Sequence, residues 1–239
     1  MKFFPIVVLI LAGSIAAQPS IESKQHTFRV ELFAEGFGIP WGMAFLPDGR
    51  LLVSEREGLL RIVALDGSLS APISGVPEVH VAGQGGLLDV VKHEDYLYVS
   101  FSMMNDEKKV TTAIGRGLFI DPFKELQDFE LLFTALPFFS DSKHFGSRIV
   151  IKNDYLFASV GERGGGMIAQ DGGKHPGSII RIHTDGSIPD DNPKFVNQPD
   201  WLPEIYQIGI RNPQGMYLSP FDGKAVSYTH LTLPTNREV

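Results

Sequence analysis

One strand–turn–strand unit recurs along the sequence, and this repetition limits the possible folds more than any other feature. The first unit, "WGMAFLPDGRLLVSE" at 41–55, places two apolar runs around a turn at Pro47-Asp48-Gly49. Similar units begin at residues 86, 147 and 215, so the units are spaced by 45, 61 and 68 residues. Periods of this size, varied by insertions, indicate a repeat protein.

A more polar third strand follows each of the first three units, over 59–65, 111–120 and 178–184. Short strands separated by turns, with no convincing helix, favour an antiparallel all-β fold. Four-stranded sheets repeated at this period are typical of a β-propeller, whose radial closure protects the sheet edges. A β-sandwich is the alternative, but sandwiches do not repeat one module at these intervals.

The unit count predicts an incomplete propeller of about three to four blades over residues 27–224. Three units are complete and a fourth begins, whereas propellers close with about four to eight blades. From about residue 225 the sequence has neither a turn glycine nor blade-like alternation. We therefore predict that 225–239 is a non-native or frameshifted tail, with a natural irregular C-terminus as the alternative.

The N-terminus carries a predicted secretory signal peptide over residues 1–17. Lys2 precedes an apolar run from Phe3 to about Ala12, and small residues follow it. The run is shorter than the ~20 residues that span a bilayer. We expect a secreted or periplasmic protein without stable membrane insertion, and an N-terminal anchor helix is the alternative.

Charge and cysteine content exclude several classes of function. The formal net charge is −7, and an acidic surface repels phosphate backbones, so a nucleic-acid partner is not expected. The chain has no cysteine, which excludes a thiolate nucleophile and a cysteine-ligated zinc. A secreted chain without disulfides must be held together by its core, a ligand or a metal.

Two candidate site residues precede predicted inner strands. Gln84 lies in "GQGG", where glycines allow a ligand to approach the backbone and the amide can donate and accept hydrogen bonds. His144 precedes the strand that begins near 147, and histidine can accept a proton from an alcohol near neutral pH. The alternatives are a glycine turn with a solvated glutamine, and a packed histidine.

Acidic residues offer two further candidates. Glu162, followed by Arg163, ends a strand and enters a long glycine-rich loop, where a carboxylate can orient a polyol hydroxyl; a surface ion pair is the alternative. The segment 184–193 contains oxygen ligands suited to calcium, but it lacks the spacing of a calcium loop. We favour a turn for this segment. Its ligand-type residues are Asp185, Asp190, Asp191 and Asn192.

Arg211 and Asn212 follow the predicted strand "EIYQIGI", and Pro213 is expected to end that strand. A guanidinium can bind a carboxylate or a quinone oxygen in a forked geometry, and the amide can pair beside it. An ion pair between blades is the alternative.

Taken in order, these motifs resemble the soluble quinoprotein glucose/sorbosone dehydrogenases, also called aldose sugar dehydrogenases. The similarity runs from about residue 30 to 224. The matching stretches are 39–63 ("IPWGMAFLPDGRLLVSEREGLLRIV"), 83–91 ("GQGGLLDVV"), 144–151 ("HFGSRIVI"), 161–193 (opening "GERG") and 203–215 ("PEIYQIGIRNPQG"). Each motif alone is weak, whereas five in the same order are specific.

The resemblance implies a six-bladed β-propeller that binds pyrroloquinoline quinone (PQQ) and calcium. It implies oxidation of an aldose at the anomeric carbon to a lactone, with electrons passed to an external acceptor. His144 would be the general base and Arg211 would polarise the quinone, with Asn212 beside it. Gln84 and Glu162 would contact the sugar or the cofactor.

Departures from the family pattern qualify this expectation. The family usually has histidine at the position of Ile210 and glycine at that of Ser147. Its calcium ligands follow "NPQG", so the metal ligands are unknown here, and the 239-residue product is expected to be unstable or inactive. A secreted propeller that binds sugar or protein without turnover, and a calcium-dependent lactonase, are the alternative functions.

Overall fold

A computed structural model describes residues 20–120, 125–194 and 200–229, and over these residues the chain is all-β, as predicted. Within the same ranges the one helical element is a short 3₁₀ turn, Gly166–Gln170. The predicted signal peptide and residues 230–239 of the predicted tail lie outside the described residues.

The strands form a hairpin followed by four antiparallel sheets. The hairpin is β1 (Ser20–Glu22) and β2 (Thr27–Arg29), and the first sheet is β3 (Pro40–Phe45), β4 (Leu51–Glu55) and β5 (Leu59–Val63). The second sheet is β6 (Leu87–His93), β7 (Tyr96–Met104), β8 (Val110–Phe119) and β9 (Leu126–Thr134). The third is β10 (Gly146–Lys152), β11 (Tyr155–Val160), β12 (Ser178–His183) and β13 (Ile205–Ile208), and the fourth is β14 (Pro213–Leu218) with β15 (Ala225–Thr229).

Successive sheets pack against each other through their first strands: β3 contacts β6, β6 contacts β10, and β10 contacts β14. Strands within each sheet pair in chain order. This arrangement is that of a propeller-type fold, and it does not match a sandwich of two facing sheets.

The first strand of every sheet has a bulge near its beginning. The register shifts between Pro40 and Gly42 in β3, and between Leu87 and Val90 in β6. The same shift occurs between Gly146 and Ile149 in β10, and between Pro213 and Gly215 in β14. A bulge adds local twist and redirects the strand. All four bulges lie at the same end of the first strands.

A serine on the second strand of each of the first three sheets links its own sheet to the next. Each hydroxyl accepts a hydrogen bond of 2.9 Å from a backbone N–H in the first strand of its own sheet. Each also donates to a backbone carbonyl at the start of the following sheet. The serines are Ser54, Ser100 and Ser159, and the acceptors are the carbonyl oxygens of Leu88, Ser147 and Pro213.

The hydrophobic core lies between successive sheets. Leu52, Leu60 and Leu97 belong to the cluster between the first two sheets, and all are fully buried. A second cluster, which includes Ile114 and Ile180, lies between the second and third sheets. A smaller one joins the third and fourth sheets. Burial of such apolar side chains is the main stabilising contribution to a chain without disulfides.

Two details differ from the sequence-based expectations. The strand before Arg211 ends at Ile208, and Pro213 begins β14 instead of ending a strand. Proline is tolerated there because it is the first residue of the strand, where a missing N–H costs little. Residues 225–229 form β15, paired with β14, a strand that the sequence did not predict. That the tail is non-native remains a prediction.

Candidate active site

The candidate site residues converge at the end where the first strands begin. Gln84 precedes β6, His144 precedes β10, and Asn212 precedes β14. Glu162 follows β11, which runs antiparallel to β10 and therefore ends at the same place. Backbone or side-chain hydrogen bonds join all of these residues to the loop that carries His144.

His144 and Glu162 form a buried pair. The Nδ1 atom of His144 is hydrogen-bonded to Oε1 of Glu162, and the two residues are 9% and 3% exposed. A carboxylate can only accept, so Nδ1 carries a proton, and in the neutral form of such a ring the lone pair lies on Nε2. The Nε2 atom makes no hydrogen bond to any of the described residues.

The second oxygen of Glu162 accepts a hydrogen bond from the N–H of Gly166. Burial alone would raise the pKa of the Glu162 carboxyl. The hydrogen bonds from Gly166 and from the His144 ring outweigh burial and hold that pKa below its usual value. Glu162 is therefore an anion that orients the His144 ring.

Gln84 holds the backbone of His144. Its Oε1 atom accepts a hydrogen bond of 2.8 Å from the N–H of His144, and its own N–H donates to the carbonyl of Ser142 at 2.8 Å. Gly83 permits this close approach, because a β-carbon there would lie 2.3 Å from the Ser142 carbonyl oxygen. The amide nitrogen of Gln84 makes no hydrogen bond to the described residues and is available to a ligand.

Arg211 and Asn212 join the site through different groups. The carbonyl oxygen of Arg211 accepts a hydrogen bond of 2.8 Å from the N–H of Glu162. The side-chain oxygen of Asn212 accepts one of 3.0 Å from the N–H of Gly146. The Arg211 side chain is exposed and forms no ion pair or hydrogen bond with the described residues. The alternative of an ion pair between blades therefore finds no partner in the described part of the chain.

Arg163 is a residue whose role the sequence did not indicate. It was expected, at most, to form a surface ion pair with Glu162, but it is 1% exposed and makes no such pair. Its guanidinium donates to the backbone carbonyls of Asp141 and Lys143, and lies 3.6 Å from the centre of the Phe145 ring. Burial lowers the pKa of this guanidinium to about 10. In the sequence, only the run of glycines after Arg163 indicated that this segment has an unusual backbone.

The acidic segment forms turns, as favoured from sequence. Asp185 accepts hydrogen bonds from the N–H and hydroxyl of Ser187, at 2.9 and 2.6 Å. Asp191 and Asn192 both bind Arg181. Across residues 20–120, 125–194 and 200–229, no group of three or more histidine or acidic side chains is placed to hold a metal ion.

The two departures from the family pattern have structural explanations. Ile210 is 6% exposed and packs with Val150 and Met216 between the third and fourth sheets, where an apolar side chain suits the surroundings. Ser147 has a φ of 85°, in the left-handed region that favours glycine. Its hydroxyl donates to the Phe145 carbonyl at 3.0 Å, which helps to hold this conformation.

One cavity is formed mainly by the first strands of the four sheets. It measures about 850 Å³ and is lined mostly by apolar residues, and its polar lining includes Asp89, Lys92, Arg148 and Gln214. Arg148 donates to Asp89 at 2.8 Å and to the Gln214 carbonyl at 3.0 Å. Burial raises the pKa of the Asp89 carboxyl although Arg148 opposes this effect. Asp89 and Arg148 are thus bound to each other, whereas Nε2 of His144 and the amide nitrogens of Gln84 and Asn212 make no hydrogen bond to the described residues.

Fold and site together define a propeller-type β protein with a candidate active site at one end of its first strands. The sequence profile of the glucose/sorbosone dehydrogenases matches residues 37–230, and the chain belongs to this family. The described residues contain no helix long and apolar enough to cross a membrane.

Individual relatives agree with this assignment. The chain is 39% identical over 227 residues to the aldose sugar dehydrogenase YliI of Escherichia coli, covering 92% of this chain and 59% of that protein. It is 27% identical over 251 residues to quinoprotein glucose dehydrogenase B of Acinetobacter calcoaceticus, covering 90% of this chain and 51% of the relative. The chain thus spans between half and three-fifths of the length of these relatives.

Solved structures give the same result. The apo form of the soluble E. coli aldose sugar dehydrogenase superposes with a TM-score of 0.79 at 39% identity, covering 84% of this chain and 59% of that one. The PQQ-bound aldose sugar dehydrogenase of Streptomyces coelicolor superposes with a TM-score of 0.69 at 27% identity, covering 83% and 58%. The similarity to both structures covers more than four-fifths of this chain.

Proposed function

We propose that this site oxidises an aldose sugar at its anomeric carbon to a lactone, with PQQ as the bound hydride acceptor. The names of the relatives, which include an aldose sugar dehydrogenase, a quinoprotein and a PQQ-bound structure, support the substrate class and the cofactor. The observation that carries the proposal is the His144–Glu162 pair with a free Nε2 atom.

The pair supplies the base that such an oxidation needs. The proton of the anomeric hydroxyl passes to Nε2 of His144 while the C1–H bond breaks and the C1–O bond becomes a double bond. Glu162 fixes the ring in the tautomer that leaves Nε2 free and stabilises the imidazolium that forms. A contact between Glu162 and the sugar or cofactor stays a prediction: each of its oxygens accepts one hydrogen bond within the chain, and a carboxylate oxygen can accept a second.

The hydrogen-bonding groups left over suit PQQ, an anion with several carboxylates. The guanidinium of Arg211 and the amide nitrogens of Gln84 and Asn212 make no hydrogen bonds to the described residues, and all three are donors. Arg211 would hold a quinone oxygen or a carboxylate, with Asn212 beside it. When bound, PQQ would take the hydride from C1, which protein side chains cannot do.

The remaining parts of the proposal concern the whole protein. A six-bladed ring, an external electron acceptor and a secreted or periplasmic location follow from the family resemblance and the predicted leader. Calcium, which the resemblance also implies, finds no suitable group of ligands in the described residues, so no step above depends on it.

A dye-coupled assay of the full-length protein tests the proposal, with and without added PQQ. We expect aldose-dependent dye reduction that requires PQQ and falls about 10²–10⁴-fold in His144→Gln, because that change removes the proton acceptor. Glu162→Gln should lower kcat while PQQ affinity is retained.

The alternatives give different results in the same experiment. Lactone hydrolysis by PQQ-free protein would identify a lactonase. Sugar binding without any turnover, in protein shown to bind PQQ, would identify a binding protein. Either result would contradict the proposal, as would full activity in His144→Gln.

A further inference from the structure

We propose that Arg163 is the positioning residue for His144, holding the loop that presents the imidazole. The inference rests on the proposed function, in which His144 is the base. It concerns a residue that touches neither the His144 ring nor, in our proposal, any ligand.

The loop that carries His144 has a backbone conformation that needs external support. His144 has a φ of 53°, Gly146 one of 66° and Ser147 one of 85°. A non-glycine residue with positive φ is uncommon and persists where its surroundings impose that conformation. Without restraint, the backbone at His144 would relax toward negative φ, and the imidazole would leave Glu162.

Arg163 contacts this loop on both sides of the histidine. Its two terminal nitrogens donate to the carbonyls of Asp141 and Lys143, which precede His144. The plane of the guanidinium lies over the ring of Phe145, which follows His144, at 3.6 Å from the ring centre. One side chain therefore fixes three of the residues that surround the base.

The backbone places Glu162 and Arg163 for complementary tasks. Arg163 itself has a φ of 57°, and its N–H faces the carbonyl of His144 at 3.4 Å. Glu162 binds the ring of His144, and Arg163 binds the chain that carries the ring. Two consecutive residues thus set both the orientation and the position of the base.

The chemistry of this contact requires arginine. A planar fork can donate to two carbonyls and stack on an aromatic ring at the same time, whereas a lysine ammonium cannot do both. The carbonyl acceptors are neutral, so the contact does not cancel the buried charge. Burial of a charge without a directly bonded carboxylate is costly, and an apolar side chain would suffice if filling space were the only need.

Arg181 offers a matched control. It is likewise buried, at 8% exposure, its Nε donates to Asn192 at 2.6 Å, and its guanidinium lies 4.7 Å from the ring centre of Tyr155. None of its contacts involves the His144 loop. Arg181→Met therefore reproduces the loss of a buried, stacked guanidinium without disturbing the site.

The test compares Arg163→Met, Arg163→Lys and Arg181→Met in the full-length protein. Imidazole ¹⁵N–¹H spectra, assigned through His144→Gln, report the His144 Nδ1 proton without requiring turnover. We expect this signal in the wild-type protein and in Arg181→Met, and its loss in Arg163→Met. In the PQQ-loaded enzyme, kcat should fall about 10–100-fold in Arg163→Met, because a base misplaced by about 1 Å can lower the rate by about that factor. KM should change by less than about 3-fold.

The outcomes separate this proposal from the proposed function. If Arg163→Met keeps the Nδ1 signal and kcat, and loses only as much thermal stability as Arg181→Met, the positioning role is wrong. If Arg163→Met fails to fold, the Nδ1 signal and kcat are measured in Arg163→Lys instead. Loss of both supports the positioning role, and retention of both contradicts it. Full activity in His144→Gln would instead overturn the proposed function, and with it the catalytic importance of Arg163, while the spectra would still show whether Arg163 holds the loop.

Discussion

Replacement of Gly161 by alanine should displace the base without altering any reacting group. A β-carbon on Gly161 would lie 1.9 Å from the carbonyl oxygen of His144 and 2.3 Å from its carbonyl carbon. Real β-carbons essentially never come within 3.0 Å of such atoms. The distance between the two backbone segments must therefore increase by at least 1.1 Å, the difference between 3.0 and 1.9 Å.

This displacement acts directly on the pair that we propose as catalytic. Gly161 immediately precedes Glu162, and the atom it would strike belongs to His144, so the two side chains must separate or rotate. A displacement of about 1 Å can cost about 10²-fold in rate, and overpacking typically costs ~1–3 kcal/mol of stability. We expect kcat to fall about 100-fold in Gly161→Ala while the fold persists.

The dye-coupled assay with saturating PQQ measures this loss, and thermal unfolding shows that the variant is folded. Gly173→Ala is the matched control, because its β-carbon would meet its nearest neighbours at 3.2 Å, which needs an adjustment of only a few tenths of an ångström. A Gly161→Ala enzyme that keeps kcat within about 3-fold of the control would refute the reasoning that links this close approach to catalysis.

Three further changes test other parts of the structure. Ser100→Ala should lower the free energy of unfolding in urea by ~1–3 kcal/mol, because it leaves a buried N–H and a buried carbonyl unpaired, whereas the exposed Ser187→Ala should change it little. Arg211→Met should raise the Kd for PQQ, measured by fluorescence quenching, about 10-fold or more and leave Tm nearly unchanged, since its guanidinium has no partner in the described chain. Burial would raise the pKa of the Glu204 carboxyl, but the hydrogen bond from His175 helps to hold it below its usual value of 4.5. The unfolded chain therefore binds this proton more readily than the folded chain does, and the free energy of unfolding decreases as the pH falls below about 4.5. Glu204→Gln should make this loss shallower, and an unchanged slope between pH 7 and 3 would contradict the assignment.

The sequence predicted the repeated elements well because their signal is local. The strand–turn–strand units that begin near 41, 86 and 147 coincide with the first and second strands of the first three sheets, and the start of the fourth unit at 215 lies in β14. Pro213 was misread because a proline at the first residue of a strand and one just after a strand give the same pattern. The bulges were not predicted, since they depend on pairing between strands and not on residue type.

The structure brings most of the candidate residues together, but the sequence did not predict how they are connected, and their roles stay predictions. Gln84, His144, Glu162 and Asn212 do come together, although up to 128 positions separate the first and the last of them. Their hydrogen bonds could not be read from the sequence, because these bonds depend on how separate sheets dock. Arg163 was missed for the same reason: its acceptors are backbone carbonyls, which carry no sequence signature.

The serine links between sheets also determine when the site can exist during folding. The residues around His144 come from the beginnings of three different sheets, and at that same end a serine hydroxyl is among the groups that link each of the first three sheets to the next. The third sheet alone carries the His144–Glu162 pair, whereas Gln84 and Asn212 come from the sheets on either side of it. Ligand binding should appear only after neighbouring blades have docked, which would make it a late and sensitive reporter of assembly.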